Sequence, residues 1–264
     1  MSDSQETFIS HLVELRDRLL RAIVAVVVVF CCLMPWAGSI YDLLAQPMMR
    51  ALPEGTRMIA TGVVTPFFVP VKVTLMVAFV LALPVVLYQV WAFVAPGLYA
   101  HEKRLALPMV VGSTVLFILG MAFCYFFVFG TVFSFIATFA PKSITPAPDI
   151  EQYLAFVMTM FLAFGITFEV PVVVVLLVKF GVLSVAKLKE IRSYVIVGAF
   201  VVAAVVTPPD VVSQLLLAIP MVLLYEFGIL LARFVEPRPD AFAAEGETNR
   251  IGVVDPDADG GSPG

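Results

Sequence analysis

Charge is what this chain has least of. Lys, Arg, Asp and Glu make up 14% of its 264 residues, against 61% hydrophobic residues. A soluble domain of this length cannot clothe its surface with so few charges. Histidine is scarcer still: His11 and His101 lie far apart, and each reads as a solvated or interfacial side chain. The three cysteines, Cys31, Cys32 and Cys124, sit inside apolar runs at spacings that suit neither zinc nor a disulfide framework, so they read as small packing residues. A nucleotide-binding loop, a nucleophile elbow and a metal motif are all missing, so no enzyme, metal or cofactor is indicated. No basic patch interleaved with aromatics points to nucleic acid. The stretch Met1 to His11 is acidic and polar, unlike the start of a cleaved signal peptide.

What the chain does have is long apolar runs, and its mean hydropathy is +1.02. Crossing a bilayer as a helix takes roughly 20 apolar residues. The sequence predicts spans at about 19–36, 73–95, 107–130, 153–178, 194–206 and 211–232. The fold class is therefore an all-α integral membrane protein with six transmembrane helices, the last two short. The fifth would be only about 20 Å long. The tail 236–264, rich in Pro, Gly, Asp and Ala, is expected to be disordered and cytoplasmic.

Orientation follows from Lys and Arg. With the N-terminus inside, inner segments carry 12 of the 16, outer loops carry Arg50, Arg57 and Lys142, and Lys72 sits at a span edge. The opposite orientation inverts that bias, so both termini are expected in the cytoplasm. No internal repeat is visible, which weighs against an inverted-repeat transporter.

Acids near or inside the membrane are the informative residues. Glu14 precedes the first span, four residues before Arg18, and the plain reading is an i,i+4 ion pair. Glu102 follows the Pro96-Gly97 turn beside Lys103 and Arg104; topology demands the two cations but not the acid. Glu169 would lie roughly 13 Å deep in the fourth span, where an ionisable group is costly and by default functional. Asp210, after Pro208-Pro209, reads as the N-cap of the sixth span. Thr207 and Gln214 could offer a polar patch to another helix. Glu226 is placed within reach of Arg233.

Several of these stretches together resemble the TatC family, the receptor subunits of the twin-arginine protein translocase. They are His11 to Leu20, Ala60 to Pro70 (ATGVVTPFFVP), Tyr88 to Arg104, Ala163 to Pro171 (AFGITFEVP) and Thr207 to Pro220. The resemblance runs from about residue 7 to 235, nearly everything but the tail.

The resemblance implies a glove-shaped six-helix bundle with a concave face in the bacterial cytoplasmic membrane. It implies partnership with the single-span TatA and TatB subunits and with further copies of the chain. Folded cargo carrying twin-arginine signal peptides would be moved by the proton motive force. At matching positions, Glu14 and Glu102 would bind the arginine pair, with Arg16 and Phe93 in the same cytoplasmic site. Pro47 would be a sensitive position in the first outer loop. Glu169 would be the intramembrane acid of the concave face, Thr207 and Gln214 the contact for a partner helix, and Asp210 the turn acid. A rival reading is a proton-coupled small-solute transporter with Glu169 as relay.

Overall fold

The computed structural model describes residues 2–51, 58–94, 103–139, 147–207 and 210–235. Helix α1 (Ser2–Leu33) passes through a tight turn, Met34–Trp36, into α2 (Ala37–Ala51). Helix α3 spans Thr65–Val94. Helix α4 (Lys103–Phe123) continues through a π turn, Cys124–Val128, into α5 (Phe129–Phe139). Then follow α6 (Ile150–Phe168), α7 (Val170–Lys179), the short α8 (Val185–Glu190), α9 (Arg192–Val206) and α10 (Val211–Ala232).

Among the described residues, five helical stretches are long and apolar enough to cross a membrane: His11–Gln46, Thr65–Val94, Leu107–Ile136, Ile150–Lys179 and Val211–Ala232. Helix α9 is apolar but short, about 22 Å from end to end. The outward faces carry side chains that water would reject, such as Val24, Phe126 at 80% exposure and Val205 at 81%. Helices satisfy their own backbone polar groups, which is what lets such a surface stand in lipid.

The stretch Ile150–Lys179 is one span in two pieces. Pro171 has no N–H to give to the Thr167 carbonyl. The helix breaks at Glu169, whose N–H turns back to the carbonyls of Ile166 and Thr167. Helix α7 restarts from Val170 with its proline in the first turn, where a missing N–H costs nothing.

Helices α4 and α6 meet where both are glycine. The Phe117 ring lies on Gly165, and Gly120 faces the carbonyl of Phe164. Around this crossing Phe129, Val157, Met160, Phe164 and Leu217 form a buried core. Helix α10 packs on α7 with Gly228 against Pro171 and Val174. Gln214 Nε2 joins α10 to α9 by donating to the Phe200 carbonyl, 3.3 Å.

One end of the bundle is clasped by Asp149. One carboxylate oxygen caps α6 by accepting from the N–H groups of Glu151 and Gln152. The other accepts from Thr61 N–H at 3.0 Å and Thr61 Oγ1 at 2.6 Å. Ile59 bridges Asp149 in parallel, Lys72 Nζ meets Glu151 at 2.8 Å, and Tyr153 donates to the Leu44 carbonyl. Lys72 is thus answered by a carboxylate where its helix leaves the apolar zone.

At the opposite ends, Tyr225 donates to the Leu188 carbonyl at 2.7 Å, and Arg192 Nη2 meets Glu226 at 2.8 Å. The Glu226 partner is therefore Arg192 and not Arg233. Arg233 is two turns along the helix, about 10 Å away, while Arg192 starts the neighbouring antiparallel helix.

Two outcomes test this packing. A Cβ on Gly120 would stand 2.5 Å from the Phe164 carbonyl oxygen, a backbone atom that cannot swing aside. Gly120→Ala should cost about 1–3 kcal/mol, read as a lower thermal midpoint in detergent. Gly112→Ala, with open space around its Cβ, should not. Equal midpoints for the two variants would contradict the close crossing. The Asp149 carboxyl is held at about 2, below its ordinary 3.8, chiefly by the Thr61 hydroxyl and then by the N–H groups it accepts. A depressed carboxyl stabilises the fold fully above its unfolded value and loses that contribution as pH falls through the folded one. Asp149→Ala should therefore lower the midpoint at neutral pH, with the gap to the parent narrowing between about pH 4 and pH 2. A gap that does not change with pH would mean the charge is not what clasps the loops.

Candidate functional site

Helix α1 runs past its apolar stretch toward its N-terminus, and α3 ends at Val94 beside it. The His11 ring stacks on the Phe93 ring, centroids 4.4 Å apart and planes 18° off parallel. Aromatic pairs at this separation attract beyond their buried area. One turn along α1, Glu14 Oε1 accepts from Arg18 Nε at 2.9 Å and Nη2 at 2.6 Å. This is the i,i+4 pair that the spacing predicts. The other oxygen, Oε2, lies 4.0 Å from His11 Nδ1. Arg16 points away and meets Asp17 at 2.9 Å. Phe93 and Glu14 are therefore brought together, through His11, while Arg16 joins them only by sharing the helix. Glu102, expected to complete this face, lies outside the described residues, as do His101 and Pro96-Gly97. Lys103 opens α4 directly after Glu102, so the segment carrying Glu102 connects the ends of α3 and α4.

Deeper in the bundle, Glu169 is 8% exposed at the break between α6 and α7. Neither carboxyl oxygen has a bonded partner among the described residues, and its polar neighbour is Ser113. That serine is fixed by Trp91, whose Nε1 donates to Ser113 Oγ at 2.9 Å. The three elements α3, α4 and α6 thus share one polar point in an apolar interior.

The α9–α10 turn carries the third group. Asp210 caps α10, accepting from Ser213 N–H at 2.6 Å. Thr207 is buried and donates to the Ala203 carbonyl of its own helix. Gln214 donates its amide across to α9. Pro47 stands on α2; its side chain, like Pro208 and Pro209, is outside the description. An apolar cavity of about 710 Å³ opens between α1, α3, α4 and α6, lined by Leu19, Ile23, Phe79, Phe117 and Met121 among others, with Thr159 supplying a hydroxyl.

The residue that sequence reasoning missed is His11. Its spacing to Glu14 was visible, but its partner Phe93 is 82 positions away, and nothing local announces a stack across that distance.

Comparison with known proteins gives a consistent answer. The family model described as Sec-independent protein translocase protein (TatC) matches residues 10–220. The Sec-independent protein translocase protein TatC of Escherichia coli (strain K12) is 53% identical over 232 residues, 88% of this chain and 90% of that one. The protein of the same name from Aquifex aeolicus (strain VF5) is 40% identical over 225 residues, 84% of this chain and 93% of that one. A crystal structure of the twin arginine translocase receptor TatC superposes with a TM-score of 0.75 at 40% identity, covering 85% of this chain and 99% of that chain. A second crystal structure of the receptor, in DDM, gives 0.76 at 39% identity, with 84% and 99% covered.

Proposed function

The chain belongs to the TatC family of Sec-independent protein translocase proteins, and on that footing we propose that its cytoplasmic face receives twin-arginine signal peptides. Membership makes it a component of the twin-arginine translocase: a multi-pass bacterial membrane protein of protein transport, and not an enzyme. The observation that carries the finer reading is Glu14, an acid in the first half of α1 beside the stacked His11 and Phe93, where α3 ends.

The recognition argument is geometric. Two adjacent arginines on an extended peptide point to opposite sides. One carboxylate cannot serve both, but two on separate segments, Glu14 and Glu102, take one each. A guanidinium pairs with a carboxylate through two parallel bonds, which an ammonium cannot do. Arg18 already occupies Glu14 Oε1, but an exposed pair within one helix is worth only a few tenths of a kcal/mol. An incoming guanidinium can share or displace it at small cost.

The rest of the reading follows the chain inward. Both termini lie in the cytoplasm, as the bias of Lys and Arg demands. Glu169, Thr207 and Gln214 form polar points where the helices of TatA and TatB dock, Asp210 holds the turn between α9 and α10, and Pro47 shapes the outer end of the first span. Several copies of the chain assemble in the receptor complex, and the proton motive force drives transport. The rival, a small-solute transporter relaying protons through Glu169, would want a polar chamber; the cavity here is almost wholly apolar.

Two experiments test the proposal. Glu14→Gln and Glu102→Gln should each weaken binding of a twin-arginine peptide about tenfold, the scale of a lost charge-assisted hydrogen bond. Unchanged affinity, measured by fluorescence anisotropy on the chain in nanodiscs, would remove the carboxylates from the site. The second concerns α9, about 22 Å long, which leaves the bilayer locally thin. Inserting four leucines lengthens it by about 6 Å and should impair export of a folded twin-arginine reporter while the complex still assembles. Full export by that variant would detach transport from the short span.

A further inference from the structure

We infer that His11 is a specificity-determining residue of the cytoplasmic site: its imidazole, backed by Phe93, is the flat surface on which one guanidinium of the peptide lies while it pairs with Glu14. The inference rests on the twin-arginine reading above and goes beyond it, because that reading assigns recognition to the carboxylates alone.

The geometry has three parts. Phe93 covers one face of the imidazole at 4.4 Å and 18°, yet the His11 side chain keeps 51% of its accessible surface, so the other face is open. Glu14 offers two oxygens. Oε1 is taken by Arg18 through both Nε and Nη2. Among the described residues Oε2 accepts no hydrogen bond, and it is the oxygen that His11 Nδ1 faces, at 4.0 Å. A planar cation that pairs with that oxygen has the open face of the imidazole beside it to lie on.

Chemistry then separates the two possible cations. A carboxylate oxygen attracts lysine as well as arginine, and the two-bond preference for a guanidinium is weakened for as long as Arg18 shares Glu14. An aromatic face discriminates better. A guanidinium is planar and weakly hydrated and stacks on rings, whereas an ammonium is compact and strongly hydrated. A guanidinium stacked on the open face keeps its N–H groups directed outward in its own plane, parallel to the ring, where one is left to pair with Glu14. Phe93 holds the imidazole in place from below. The same stack ties α1 to α3, so the surface is already formed before the peptide arrives.

The test is a ratio. Two synthetic peptides, identical except for Arg-Arg or Lys-Lys ahead of an apolar stretch, are titrated against the full chain in nanodiscs. Stacking at an exposed site predicts that His11→Ala weakens Arg-Arg binding about threefold and leaves Lys-Lys binding as it was. His11→Phe, which keeps a ring but no nitrogen, should restore the preference, and His11→Gln, which keeps polarity but no ring, should not. Arg-Arg and Lys-Lys affinities falling together in His11→Ala would reduce His11 to a structural support and overturn the inference, as would rescue by Gln and not by Phe. If the parent chain binds both peptides equally, the twin-arginine reading itself fails, an outcome distinct from a parent preference that His11→Ala leaves intact.

Discussion

Everything in this molecule answers to the cost of putting charge or an unpaired backbone group into hydrocarbon. That cost makes the spans helical. It also drives most charges to the ends, where each described cluster is paired. Asp149 collects four donors at one end of the bundle, Glu151 takes Lys72 there, and Glu226 takes Arg192 near the opposite end. Glu169 is the exception, a carboxyl held inside the bundle near Ser113 with no bonded partner among the described residues.

The same constraint shapes the stretch of α1 around Glu14. There the Glu14–Arg18 pair is only half-buried, so in the proposed reading a visiting guanidinium exchanges with Arg18 without a large desolvation cost. A receptor for a transient ligand needs this kind of weakly held group. The interior carries stability instead, through glycine contacts between α4 and α6 and between α7 and α10, and through the aromatic core around Phe129 and Phe164. Stability and recognition are thus placed on different parts of each helix.

Local interactions were legible in the sequence and distant ones were not. The sixth apolar run, the Asp210 cap and the Glu14–Arg18 pair depend on residues within one turn of each other, and the chain states them directly. The break at Glu169 had a local signal in Pro171, yet composition ran one unbroken span through it. The Asp149–Thr61 clasp, the Arg192–Glu226 pair and the His11–Phe93 stack join residues 88, 34 and 82 positions apart. Helix packing alone decides which of many apolar faces meet, and so sets these pairs. The family resemblance supplied roles for Glu14, Phe93 and Glu169, but it left His11 unassigned, because a role carried over from a motif does not say what a side chain touches.

The central claim is that the arginine pair is read at the first half of α1, where α3 ends. Site-specific photo-crosslinking tests it most directly, with the probe at Leu12 beside Glu14, at Tyr99 beside Glu102, and at Val63 on the opposite side, where exposure is 99%. The account predicts adducts with a twin-arginine peptide at Leu12 and Tyr99, competed away by unlabelled Arg-Arg peptide but not by Lys-Lys peptide, and none at Val63. Adducts at Val63, or adducts at Leu12 and Tyr99 that Lys-Lys peptide competes equally well, would contradict it.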